Sequence, residues 1–180
     1  MFEKFFSKMR GNAKSPPIIN FYEIVWSWIG ALIGIGALGY IHSRWCQGDQ
    51  LVMIIGSFGA SAVLIYGAIK SPLAQPRNLL GGHIISAIIG VSCYKIFPDA
   101  IWVSSALSVA TAIALMHATK TLHPPGGATA LIAVIGGKEI HSLGYLYVII
   151  PVGIGAVIML IIALIVNNIP QNRRYPEYWW

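Results

Sequence analysis

Stretches free of Asp, Glu, Lys and Arg recur along the chain: Ile24 to Ile41, Leu51 to Ile69, Leu79 to Tyr94, Ala100 to Thr119, Thr121 to Gly137 and Leu143 to Val166. A membrane-crossing helix needs about 20 mostly apolar residues, so the pattern predicts an all-α, polytopic transmembrane helix bundle of about six segments. The first, second, fourth and sixth stretches qualify outright. The third and fifth are expected to be short or broken, because Gly81-Gly82 and His123-Pro124-Pro125-Gly126-Gly127 delay regular helix. After its break the fifth keeps about ten residues, roughly 15 Å of helix against a hydrocarbon core of about 30 Å. At the N-terminus, Phe2, Phe5, Phe6 and Met9 recur at helical spacing, with Lys4 and Lys8 opposite and Arg10 at the flank. That pattern predicts an interfacial helix on an anionic leaflet, with a disordered basic leader as the alternative. No short apolar run with a small-residue cleavage site follows, so no removable signal peptide is expected. The organisation is then a basic amphipathic segment at the cytoplasmic interface over 1–19, a transmembrane domain over 20–168, and a short polar and aromatic tail over 169–180.

Composition agrees: 56% of the 180 residues are hydrophobic and 10% are charged. A soluble domain carries roughly 25% charged residues, so the lipid bilayer is the first expected partner. The net charge of +6 comes from 12 Lys and Arg against 6 Asp and Glu. With six crossings and a cytoplasmic N-terminus, nine basic residues fall inside (Lys4, Lys8, Arg10, Lys14, Lys70, Arg77, Lys120, Arg173, Arg174) and three outside (Arg44, Lys95, Lys138). This obeys the positive-inside rule and points to a plasma membrane, read as bacterial-type inner membrane. A re-entrant fifth segment would make the count eight against four. Because the basic residues do not cluster on one soluble face, nucleic acid is excluded as a partner. Cys46 and Cys93 lack metal-site spacing, and neither metal nor cofactor is expected. Small residues at Gly30 and Gly34, Gly56 and Ala60, and Ser86 and Gly90 suit close helix packing and a homo-oligomer.

A faint duplication links two regions about fifty residues apart. Ser57 to Ile69 ends in Lys70-Ser71, then a Pro-containing loop through Pro76-Arg77-Asn78, then Gly81-Gly82; Leu107 to Thr119 ends in Lys120-Thr121, then Leu122-His123-Pro124-Pro125, then Gly126-Gly127. Proline cannot continue a helix smoothly, and non-helical backbone at membrane depth survives only where protein buries it or a cavity meets it. If each Gly-Gly opens a helix, its amides make a positive end suited to a small anion. Lys120, Thr121, His123 and Thr129 flank one break, and Lys70, Ser71, Arg77, Asn78 and His83 the other, with no carboxylate in either loop. A cation route would show Asp or Glu, so the sign favours an anion. His117, one turn before Lys120, is an intramembrane ionisable residue that lines a path or bonds a neighbouring helix carbonyl.

The stretch His123-Pro124-Pro125-Gly126-Gly127-Ala128-Thr129-Ala130-Leu131 resembles the signature of the HPP family of small integral membrane proteins. Ser71-Pro72-Leu73-Ala74-Gln75-Pro76-Arg77-Asn78, with Gly81-Gly82-His83, resembles that family's second block. Members from photosynthetic organisms have been assigned to nitrite transport, and the resemblance implies movement of nitrite or a similar anion such as nitrate. The family is often described with four membrane segments, fewer than the apolar stretches counted above.

The leading expectation is therefore a non-enzymatic nitrite channel or transporter. In it Gly81, Gly82, Gly126 and Gly127 supply backbone N–H groups, Arg77 and Lys120 attract the anion, and His83, His123 and His117 donate hydrogen bonds or relay a proton. Two alternatives remain at this point, an intramembrane histidine-dependent enzyme and a non-transporting scaffold subunit. For a metal enzyme the spacing of His117 and His123 across a helix end is poor.

Overall fold

The computed structural model describes residues 2–10, 13–46 and 52–180. The side chains of Phe2 and Arg10, and the start of the second apolar stretch at Leu51, lie outside the described residues. Helix α1 spans Phe2–Ser7 and continues as a tight turn over Lys8–Arg10, with Phe5, Phe6 and Met9 exposed. Helix α2, Phe21–Trp45, starts at Asn20, whose side chain accepts the Glu23 backbone N–H at 2.9 Å. This is the usual economy of an N-cap, which satisfies an orphan amide of the first turn.

Helix α3 covers Gly56–Ala62 and widens into a π turn over Val63–Gly67. Helices α4 (Pro76–Ile96), α5 (Ile101–Ala118), α6 (Pro124–Ile135) and α7 (Gly137–Leu143) follow. A kinked stretch, Val148–Gly153, with extended backbone at Ile150 and Pro151 behind it, leads into α8, Ile154–Val166. Among the described residues, four helical stretches are long and apolar enough to cross a membrane: Phe21–Trp45, Pro76–Ile96, Ile101–Ala118 and Val148–Val166. The chain is an all-α, polytopic transmembrane bundle.

Which apolar stretches are short differs from the sequence expectation. The fifth is short, as expected, but the third is a full 21-residue helix and the second is the other short one, Gly56–Gly67. Helix α4 begins at Pro76, where a missing N–H costs nothing, so Gly81 and Gly82 lie inside it instead of opening it. The second stretch loses its start because 52–55 is non-helical, with Ile55 extended at φ −127°, ψ 149°. The 12 residues of α6 span roughly 18 Å, too little to cross alone.

The small residues read as packing faces have two different uses, and one pair has neither. At the α4–α6 crossing a Cβ on Gly90 would lie 2.5 Å from the Ala130 carbonyl oxygen, and one on Gly126 2.9 Å from that of Gly82. Close backbone approach of this kind replaces the hydrophobic drive that lipid cannot supply. Gly30 and Gly34 instead form a slot for the Tyr66 ring, which the π turn delivers and whose hydroxyl donates to the Met159 carbonyl at 3.2 Å. Gly56 and Ala60, read as a packing face, are exposed.

The tail folds back onto the bundle. Arg173 is buried, donates through Nη2 to the Tyr66 carbonyl at 2.7 Å and to Asn167 Oδ1 at 2.9 Å, and pairs with Glu23 at 3.6 Å. Burial lowers its guanidinium below the ordinary value and Glu23 works against that. Tyr175 Oη donates to the Ala74 carbonyl at 2.7 Å, the Glu177 backbone N–H to Gln75 Oε1 at 2.9 Å, and Tyr178 Oη to the Pro72 carbonyl at 3.2 Å.

Two outcomes follow from this packing. Gly90→Leu overpacks the α4–α6 crossing and is expected to destabilise the protein by about 1–3 kcal/mol, whereas Gly36→Ala is expected to be neutral or mildly stabilising. A Cβ at Gly36 meets nothing within 4 Å. Thermal unfolding in detergent, read side by side, checks the pair. Arg173→Ala takes the guanidinium donor from the Tyr66 carbonyl and from Asn167 Oδ1 and is expected to release the tail, which limited trypsin digestion reports as faster cleavage at Arg174 at unchanged bundle integrity.

Candidate functional site

The two breaks meet at one end of the bundle. In the first, Ser71 accepts the Leu73 N–H at 3.2 Å and starts a 3-10 turn over Pro72–Ala74. Gln75, fully buried, donates through Nε2 to the carbonyls of Ile69 and Ser71 at 3.0 and 2.8 Å. In the second, α5 ends in a Schellman pattern: the Lys120 N–H donates to the His117 carbonyl at 3.1 Å and the Thr121 N–H to that of Met116 at 2.8 Å. Lys120 holds the left-handed position at φ 56°, where glycine is usual.

Arg77 Nη2 donates to the Thr119 carbonyl at 2.6 Å and Asn78 Nδ2 to that of Leu122 at 2.8 Å, so the first turn of α4 cradles the second break. Gly82 lets this happen: a Cβ there would lie 2.5 Å from the His123 Cβ and 2.9 Å from the Thr121 carbonyl oxygen. The four glycines thus do not form two open helix starts. Pro124 and Pro125 remove two donors of α6 outright, and the Gly126 N–H donates to the His123 carbonyl at 2.8 Å. Close approach is what Gly81, Gly82 and Gly126 share, each with a neighbour nearer than a Cβ would allow.

Two clefts open at this end. One, of about 470 Å³, is lined by Pro76, Arg77, Leu80, Gly81, Thr119, Thr121, Trp179 and Trp180. The other, of about 620 Å³, holds Lys70, Ser71, Asn172 and Arg173 but also Glu23. Lys120 and His117 are exposed, whereas His83 and His123 are buried.

Beneath the breaks lies a continuous polar chain whose side chains are fully buried in the apolar bundle. His123 Nδ1 is 2.8 Å from the Leu73 carbonyl oxygen and its Nε2 is 2.9 Å from Ser61 Oγ. Ser61 Oγ is 2.7 Å from His83 Nε2, and His83 Nδ1 is 2.7 Å from Thr129 Oγ1, which donates to Ser57 Oγ at 2.8 Å. The two imidazoles meet edge to face with centroids 5.0 Å apart, and Phe58 closes over His83. Tyr147 Oη donates to the Thr129 carbonyl at 3.1 Å. Among the described residues no group of three His, Cys, Asp or Glu is placed to hold a metal.

Of the expected residues, His83, His123 and Thr129 come together in the polar chain, and Arg77, Gly81 and Thr121 in the smaller cleft. Lys70 and Ser71 stand in the larger one. Ser57, Ser61, Tyr147 and the two terminal tryptophans were not anticipated. A signal for the serines was present: they sit four apart in an apolar helix, one residue along from the Gly56 and Ala60 face that was read instead.

Residues 16–176 match the HPP transmembrane-region family. Two proteins of Dictyostelium discoideum, each described as a transmembrane protein, are similar over 182 residues: one is 47% identical and the match covers 99% of this chain and 58% of that protein, the other is 46% identical with 98% and 64% covered. The chain therefore spans about three-fifths of the length of these curated relatives. No solved structure matches. Both relatives belong to a eukaryote, which overturns the expectation of a bacterial-type inner membrane. A charge bias across a membrane orients the chain but does not tell one kind of organism from another. Matched over nearly its whole length, the chain belongs to the HPP family of integral membrane proteins.

Proposed function

We propose that this protein moves a small monovalent anion, nitrite first and nitrate as a competitor, across the membrane. The observation that carries the reading is the cleft where the breaks meet, whose lining offers a guanidinium, two threonine hydroxyls and two indoles and no Asp or Glu side chain. Arg77 uses Nη2 on the Thr119 carbonyl and keeps further N–H donors, and a planar fork suits an anion with two oxygens. Apolar walls strengthen the attraction, since a charge pair is worth several times more beside protein than in water. Lys70 and Lys120 extend the positive field at the same end.

Lys120 supports the reading separately. A non-glycine residue in the left-handed region costs about 1–2 kcal/mol, so a lysine there is poor for stability and is explained by its charge. Self-association of this chain, with the N-terminus and both breaks on the cytoplasmic side, belongs to the same proposal.

Purified protein in liposomes should take up nitrite faster than chloride, and uptake of none of nitrite, nitrate and chloride above the level of empty vesicles would sink the reading. Lys120→Gly separates charge from fold. It is expected to keep or raise thermal stability, since it removes the backbone cost, while lowering nitrite uptake severalfold. Arg77→Gln is expected to lower uptake by roughly tenfold or more, about 1.4 kcal/mol, at matched insertion. Insertion is measured alongside, because a mere topology anchor would change insertion and leave flux per molecule alone.

A further inference from the structure

Arg173 carries more hydrogen-bond donors than the bundle uses. Its Nη2 hydrogens go to the Tyr66 carbonyl at 2.7 Å and to Asn167 Oδ1 at 2.9 Å. Nε and Nη1 are buried and have no hydrogen-bond partner among the described residues, on a side chain that is 1% exposed. The Nε hydrogen and one of those on Nη1 point the same way, a fork spaced to meet two oxygens of one acceptor group. Glu23 stands at this fork without filling it: one of its oxygens lies 3.6 Å from Nη1, an ion pair longer than a hydrogen bond. Guanidinium N–H groups left unbonded inside a protein are costly and rare, so the fork points to an acceptor supplied from outside the chain.

The surroundings say which acceptor. Arg173 and Glu23 both line the larger cleft, of about 620 Å³, together with Lys70, Ser71 and Asn172. Lys70 and Asn172 are exposed, and Ser71 Oγ, which accepts the Leu73 N–H, keeps its own hydrogen to donate. An ammonium and a hydroxyl beside a guanidinium fork suit a phosphate. Glu23 repels a head group that carries negative charge alone, and accepts hydrogen bonds from a primary ammonium joined to that phosphate. Depth agrees. Helix α2 has 25 residues, roughly 38 Å against a hydrocarbon core of about 30 Å, so its first turn, which carries Glu23, reaches the head-group layer. Phe21 and Tyr22 are exposed on that turn, where aromatic rings mark the membrane interface.

We propose that this cleft holds the head group of a phospholipid bearing a primary amine, of the phosphatidylethanolamine kind, with Arg173 on its phosphate. Two phosphate oxygens take the fork of Nε and Nη1, and Lys70 and the Ser71 hydroxyl serve the others. The Glu23 side chain, 29% exposed, turns from the fork to the ammonium by rotation alone. Every charge keeps an opposite partner throughout: Glu23 answers Arg173 before the lipid arrives, and afterwards the phosphate answers Arg173 while Glu23 answers the amine. The acyl chains run along the lipid-facing side of α2, beside exposed Phe21 and Ile24. Because Nη2 of the same guanidinium holds the Tyr66 carbonyl and Asn167, the lipid braces the root of the tail. This site is separate from the anion cleft and does not depend on the anion reading.

The test uses the full chain, washed free of lipid in detergent, with native mass spectrometry and thermal unfolding read after adding dioleoyl phosphatidylethanolamine, phosphatidylcholine or phosphatidylglycerol at equal concentration. Inorganic phosphate forms a separate arm. The expected result is one phosphatidylethanolamine retained per chain with a raised Tm. Affinity for the other two lipids is expected to be weaker by about tenfold, because a trimethylated amine offers Glu23 no N–H and glycerol offers it no charge. Glu23→Gln is expected to abolish the preference for phosphatidylethanolamine over phosphatidylglycerol, and Lys70→Gln to weaken retention of either. Equal retention of the three lipids by the wild type, or an unchanged preference in Glu23→Gln, overturns the head-group assignment. A rise in Tm with inorganic phosphate as large as that with the lipid overturns the lipid in favour of a free phosphate. The wild-type comparison decides even where a variant does not fold.

Discussion

The hydrogen bond between His123 Nδ1 and the Leu73 carbonyl, 2.8 Å long, ties the second break of the chain to the first. Lipid offers no partner for a backbone group left out of a helix, so each interruption must be answered from within the protein. This bundle answers them reciprocally. Arg77 and Asn78 at the start of α4 take the carbonyls of Thr119 and Leu122, and His123 takes that of Leu73. Gln75 and the tail residues Tyr175 and Tyr178 take those of Ile69, Ser71, Ala74 and Pro72.

That arrangement explains where the charged and polar groups go. Pairing the breaks gathers Lys70, Arg77 and Lys120 at one end, and leaves a cleft between Arg77, the threonines and the terminal indoles. It also draws His123 inward, because the residue that caps one break is the same one that opens α6. Once buried, its second nitrogen needs a partner, and Ser61 of the short helix α3 provides it. A full-length α3 would not be needed for that task, and the helix here is only Gly56–Gly67. The two short helices and His83 of the long α4 thus carry the polar interior.

The glycines changed meaning most between sequence and structure. Read along the chain, Gly81-Gly82 and Gly126-Gly127 look like helix openings that bare their amides. In space, Pro76 and Pro124 open the helices, and the glycines let α4, α6 and the Thr121–His123 backbone touch. Both uses need a missing Cβ, so the residue type alone could not separate them. In the same way Gly30 and Gly34, spaced for a helix partner, receive a tyrosine ring.

Hydropathy and charge placed the chain in a membrane, set its helical class and marked the two proline breaks, because those properties depend on composition over a window and on local backbone geometry. The breaks in turn named His83, His123, Thr129 and Arg77 as candidates, since donors flanking a break are visible in the chain without knowing their partners. Which polar group meets which was decided by tertiary packing alone. Ser61 lies 62 positions from His123 and 22 from His83, and nothing local in the chain announces that the three share one hydrogen-bonded path. The same holds for the length of α3 and α4: helix limits here were set by which backbone groups could find a partner across the bundle, and that is a property of the folded whole.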